Sequence, residues 1–167
     1  MGKRHLYCIS GARGNIQRRG LGLMNSQDKK EIDYKATLID YWMEKAYESF
    51  EAAKSEHTSK RFSTAVRNLY YACFYALTAV LYSQGKSFRK HSAVRAAFHR
   101  DLIKTGKVEA KWGRFYNRIF DRRHEGDYEP MISFESEQVE QFLQDAGQFI
   151  RVMDKILKQF GKSKKID

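Results

Sequence analysis

With 167 residues, 42% of them hydrophobic and only one a proline, the chain suits one helix-rich domain that buries about two-thirds of its unfolded surface. Its net charge of +11 is concentrated: residues 86–123 carry twelve Lys/Arg against three acids, and residues 124–145 carry seven acids and neither Lys nor Arg. No apolar run reaches the ~20 residues of a membrane span and no apolar stretch follows the basic N-terminal residues, which argues against a membrane span and a secretory signal, while the cationic block is either a solvated face or a surface for a polyanion.

In chain order, residues 1–23 hold five glycines and five basic residues with no apolar period. A disordered basic tail is expected over 1–30, and MNSQDKKEID reads as an ordinary start, so either the true start is near Met24 or residues 1–23 are a tail. The helical bundle is expected over 35–159. Its first helix covers about 35–56, where Leu38, Ile39, Trp42, Ala46, Phe50 and Ala53 recur at helical spacing. The second, about 60–83, is the most apolar and reads as the central helix, ended by Gly85. Cys73 lies within it as a small core residue. With Cys8 in the tail no disulfide is expected, which fits a reducing cytoplasm.

A basic loop, KSFRK, leads into a third helix over about 91–104, stopped by Gly106. The fourth spans about 109–124, and Gly126 and Pro130 are expected to end it, leaving Asp127, Tyr128 and Glu129 in a turn. The fifth runs over about 135–159, acidic in its first half and lysine-rich at its end, as the helix dipole favours. A solvated tail covers 160–167. Short links between four to five helices imply an all-α, antiparallel up-and-down bundle.

Phosphate loops, paired cysteines and metal-binding histidine spacings are missing from the sequence, so neither a metal nor another cofactor is expected. The chemistry concentrates in NRIFDRRHEGDY. There Arg118, Arg122 and Arg123, with Arg114 just ahead of them, recur along one helix, beside His124, Asp127 and Tyr128 at its expected end. An arginine fork suits a phosphate, and a neighbouring carboxylate can hold the fork in place. An Arg123–Asp127 pair that merely caps the helix is the plainer alternative. Lys90 and His91 enter a helix N-terminus, where free N–H groups favour an anion, although Ser92 can serve simply as the N-cap. Asn68 beside an apolar stripe needs a hydrogen-bond partner, as a fastener between helices or a ligand contact.

Four phrases in this order, RNLYYACFYALTAVL, KSFRKHSAVRAAF, LIKTGKVEAKWGRFYNRIF and DRRHEGDY, resemble the HEPN superfamily over about residues 38–157. The resemblance implies a bundle that usually forms a homodimer, RNA or a nucleotide as ligand, and a nucleotidyltransferase as antitoxin partner. Many members look like metal-independent ribonucleases with an Arg, four to six residues, then His. Two registers fit. Arg118 and His124 match the spacing literally, and Arg123, Asp127 and Tyr128 match the Arg-x-x-x-Asp-Tyr branch. We favour the second, in which Tyr128 replaces the histidine and becomes a candidate acceptor of AMP from the partner. Tyrosine, with an ordinary pKa of about 10, is a poor base at neutral pH. Two functions are therefore carried forward: a toxin-like endoribonuclease, and a non-catalytic nucleotide- or RNA-binding subunit that docks a nucleotidyltransferase.

Overall fold

The computed structural model describes residues 25–128 and 134–163, with side chains over 25–123 and 134–160. The helices are α1 (Ser26–Thr58), α2 (Phe62–Ser83), α3 (His91–Phe98), α4 (Ala110–Tyr128) and α5 (Ser136–Ser163). A π-helical segment, His99–Ile103, continues α3 without a break. The described residues contain no strand, and the architecture is the expected all-α bundle.

Local chemistry sets the ends. The side chain of Asn25 accepts from the N–H groups of Gln27 and Asp28, both at 2.8 Å, and so starts α1 nine residues before the apolar stripe begins to read as helix. Residues 26–30, expected in the loose tail, are therefore helical; the calls on residues 1–24 fall outside the described residues. At the end of α2, Gly85 takes φ +78°. The N–H of Lys86 reaches the Leu81 carbonyl at 3.0 Å and that of Gly85 reaches Tyr82 at 2.9 Å, a Schellman closure.

Two expected stops do not act as stops. Helix α4 runs through Gly126 to Tyr128, so Asp127 and Tyr128 lie in its last turn rather than beyond it. Glycine inside a helix costs about 1 kcal/mol against alanine, which weakens a helix without ending it. Helix α5 likewise continues to Ser163, into the segment expected as a tail.

Helix α2 is the axis. Eleven of its residues are buried, among them Leu69, Tyr70, Cys73, Leu77 and Val80, and it packs against α1, α3, α4 and α5. Tyr116 of α4 and Phe149 of α5 stack at 5.8 Å in the same core, and Phe98 closes on both. Fully burying one such side chain stabilises the fold by roughly 1.5–3 kcal/mol. This packing fixes the relative rotation of α2, α3 and α4, and with it the polar groups at their shared edge.

Candidate functional site

The polar groups gather on an aromatic cluster where α2, the start of α3 and the second half of α4 meet. Tyr70 is fully buried, and its hydroxyl lies 2.8 Å from His91 Nδ1. The His91 ring stacks on Phe74 at 4.2 Å with a 13° interplanar angle. Phe120 of α4 meets the Tyr70 ring edge-on at 5.6 Å. Over this floor lies the Arg123 guanidinium, 5.1 Å from the Tyr70 ring centre and 5.5 Å from that of Tyr71. Its Nη2 donates a long, 3.5 Å hydrogen bond to the Tyr71 hydroxyl. Cation–π attraction of this kind holds the planar group against the rings.

Burial pushes the Tyr70 phenol up to about 12, against the opposing pull of the neighbouring Tyr116 hydroxyl and the Arg123 charge. Tyr70 therefore stays protonated at physiological pH, a neutral hydroxyl hydrogen-bonded to the imidazole of His91. A half-buried imidazole anchored by a phenol thus sits beside the same two tyrosines that carry an arginine.

A second polar set borders the cluster along α3 and α4. The Arg95 guanidinium lies 4.1 Å over the Phe120 ring and reaches Asp121 at 3.3 Å. His99, in the π segment, has Nε2 2.9 Å from Asn117 Oδ1. Its ring rests on Gly113, where an added Cβ would come within 2.9 Å of His99 Cε1. Ser92, Arg95, His99, Asn117 and Asp121 line a shallow groove here.

The residues expected from the sequence divide. Arg123 and His91 meet at the cluster. Arg118 does not join them, because five residues turn a helix by about 140°. Its Nη2 instead pairs with Asp145 of α5 at 2.9 Å, and its guanidinium lies over Phe142 at 5.3 Å. Arg122 is half-buried on α4. Lys90 is the exposed N-cap of α3, holding the helix by its carbonyl and not its side chain; Ser92 is inside the helix and is not the cap. Asn68 is half-buried on α2, and its side chain makes no hydrogen bond among the described residues. The backbone puts Asp127 one turn beyond Arg123. The side chains of His124, Asp127 and Tyr128 lie outside the described residues, so the choice of register is not decided by contacts.

Tyr70, Tyr71, Phe74, Arg95, His99 and Asn117 are the additions that folding makes. The tyrosines read in sequence only as a widening of the apolar stripe. The one available signal was three aromatics at 70, 71 and 74 beside a lone polar Asn68. Among the described residues no group of three His, Cys, Asp or Glu is placed to hold a metal, and no helix is long and apolar enough to cross a membrane.

Residues 39–156 match the HEPN domain family, and the chain belongs to that family. It is 40% identical over 132 residues to a UPF0332 protein of Thermotoga maritima, covering 79% of this chain and all of that protein. It is 30% identical over 127 residues to "Putative toxin MJ0142" of Methanocaldococcus jannaschii, covering 76% of this chain and 86% of the relative. A second protein of that organism, "Putative toxin MJ0605", is 29% identical over 137 residues, 82% of this chain and 96% of the relative.

Proposed function

We propose that this protein is the toxin-type member of a HEPN–nucleotidyltransferase pair, acting in the cytoplasm, and that it cuts RNA without a metal. The observation that carries this reading is the Arg123 guanidinium held over Tyr70 and Tyr71 beside His91, which the Tyr70 hydroxyl anchors. Family membership and two relatives bearing the name "Putative toxin" support it.

In the proposed reaction the RNA 2′-hydroxyl attacks the adjacent phosphorus and gives its proton to a base. The bond from phosphorus to the 5′-oxygen breaks, that oxygen takes a proton from an acid, and a 2′,3′-cyclic phosphate remains. Arg123 stabilises the charge that grows on the phosphoryl oxygens. Histidine suits the proton transfers because it titrates near neutrality, and His91 and His124 are the candidates. Asp127, one turn from Arg123, is assigned to orient the guanidinium.

A protein partner is supported by exposed apolar side chains on α1, where Ile32 is 54% and Tyr34 is 64% accessible. That face suits a second copy of the chain or the nucleotidyltransferase. The alternative reading, a non-catalytic subunit that binds nucleotide or RNA and docks the nucleotidyltransferase, is favoured by Tyr128 standing where the catalytic branch has histidine.

The test is incubation of mixed RNAs with the purified chain in EDTA, beside Arg123→Ala, His91→Ala and His124→Ala. The ribonuclease reading expects cleavage by the wild type and a loss on the order of a hundredfold or more in Arg123→Ala. No wild-type cleavage together with retained nucleotide binding favours the adaptor.

A further inference from the structure

The arginines of α4 that turn away from the cluster form a pattern of their own. Lys111, Arg114, Arg118 and Arg122 follow one another at steps of three, four and four residues. On an α-helix these positions fall within an arc of about 80° and run for roughly 16 Å. Lys107 continues the line ahead of the helix, its ammonium 5.6 Å over the Phe160 ring at the end of α5. Arg118, the middle of the stripe, is about 140° around α4 from Arg123.

Like charges at such spacing weaken an isolated helix, and a face kept only for solubility interleaves opposite signs. Among the described residues, few acids offset Lys111, Arg114 and Arg118. Asp145 pairs with Arg118 at 2.9 Å and Glu109 with Lys111 at 3.1 Å. Asp121, at the border of the stripe, is turned to Arg95. Arg114 has neither hydrogen bond nor ion pair among the described residues. Both paired cations stay about half exposed, Lys111 at 54% and Arg118 at 53%. With Asp145 and Gln148 of α5 these cations wall an open groove of about 460 Å³. Its floor, Trp112 and Phe115, is only 6% and 5% accessible.

We propose that this face of α4, with the adjoining edge of α5, is a second contact surface for RNA, separate from the Arg123 cluster, holding a strand by its phosphates without reading its bases. The proposal rests on the reading that the chain acts on RNA. Two features favour a nucleic-acid backbone over an acidic protein. The cations recur about once per helical turn, ~5.4 Å, close to the step between successive phosphates of a strand. The groove also exposes almost none of the aromatic surface that anchors protein interfaces. An added grip remote from the cutting site raises affinity for long RNA whatever its sequence.

The test is anisotropy of a labelled, mixed-sequence single-stranded RNA with the full chain over a salt series. Lys111→Gln/Arg114→Gln is compared with Lys29→Gln/Lys30→Gln, which removes two charges, also exposed, from α1. The stripe variant is expected to bind roughly tenfold more weakly, with a salt slope shallower by about 1.4, the release expected for two phosphate contacts on a single strand. The α1 variant is expected to match the wild type. Equal losses in both variants would mean bulk charge and would overturn the proposal. So would an unchanged stripe variant, or one that keeps RNA affinity while losing an acidic nucleotidyltransferase on co-purification. Arg123→Ala separates the two sites: it is expected to lose cleavage, while Lys111→Gln/Arg114→Gln still weakens RNA binding by the same factor in that background. Wild-type protein that binds through the stripe yet cuts nothing would sink the ribonuclease reading and leave the stripe standing.

Discussion

At Arg123 the chemistry depends on shape as much as charge. A planar guanidinium lies over two phenol rings; an ammonium on a flexible stem does this less well. Arg123→Lys is therefore expected to keep the fold and lose at least tenfold in RNA cleavage, read as initial rates at one RNA concentration. Tyr70 carries a different consequence. Its phenol is raised from 10.0 to about 12 by burial, so the folded state holds the proton more tightly than the unfolded chain. That contribution is complete below pH 10 and drains away as pH rises through 12. Thermal unfolding temperatures are expected to fall across this window, and to fall less in Tyr70→Phe. The buried Tyr116, raised for the same reason, keeps part of the slope. The Arg123 end of this cluster was legible in the sequence, because arginines beside Asp127 and Tyr128 are local. The Tyr70–His91 contact was not. It joins residues 21 apart across two helices, and no periodicity marks it.

At the level of the helices, the apolar stripes of α2 and α5 were plain in sequence, and both helices fall close to where the stripes put them. The start of α1 was hidden because SQDKKEIDY offers no apolar face and rests on the Asn25 cap instead. The π segment was also hidden, since the helical period continues through it. Two contacts hold that segment in place. Asp101 binds Arg100 at 2.8 Å and Lys86 at 2.7 Å, tying the basic α2–α3 loop to it. These cations, Arg100 first, hold the Asp101 carboxyl well below the usual carboxylate range. The resulting stability is present above the ordinary aspartate pKa and lost only as pH falls through the lowered value. Asp101→Asn is expected to unfold at lower temperature near neutrality and to show a flatter acid limb in a pH series of melts. The other contact is His99 on Gly113. Gly113→Ala places a Cβ within 2.9 Å of the imidazole and is expected to cost about 1–3 kcal/mol, measured by denaturant unfolding. Loss of the His99–Asn117 pairing would appear as changed histidine chemical shifts.

Across the molecule, the cationic block at 86–123 is sorted by the geometry of α4. Arg123 faces the aromatic cluster, and Arg118 with its neighbours faces outward along α5. The sequence showed the block and the family but not this division, which exists only once the rotation of α4 is fixed by Tyr116, Ile119 and Phe120 in the core. On the proposed reading, the charge distribution suits a polyanionic partner, and packing selects which cation would meet the reacting phosphate. The most direct test is the chemistry of the RNA ends after incubation with wild-type protein in EDTA, read by mass spectrometry. The expected result is 2′,3′-cyclic phosphate and 5′-hydroxyl ends with the wild type and intact RNA with Arg123→Ala. Ends bearing 3′-hydroxyl and 5′-phosphate, or equal cutting by Arg123→Ala, would contradict a site built on that arginine.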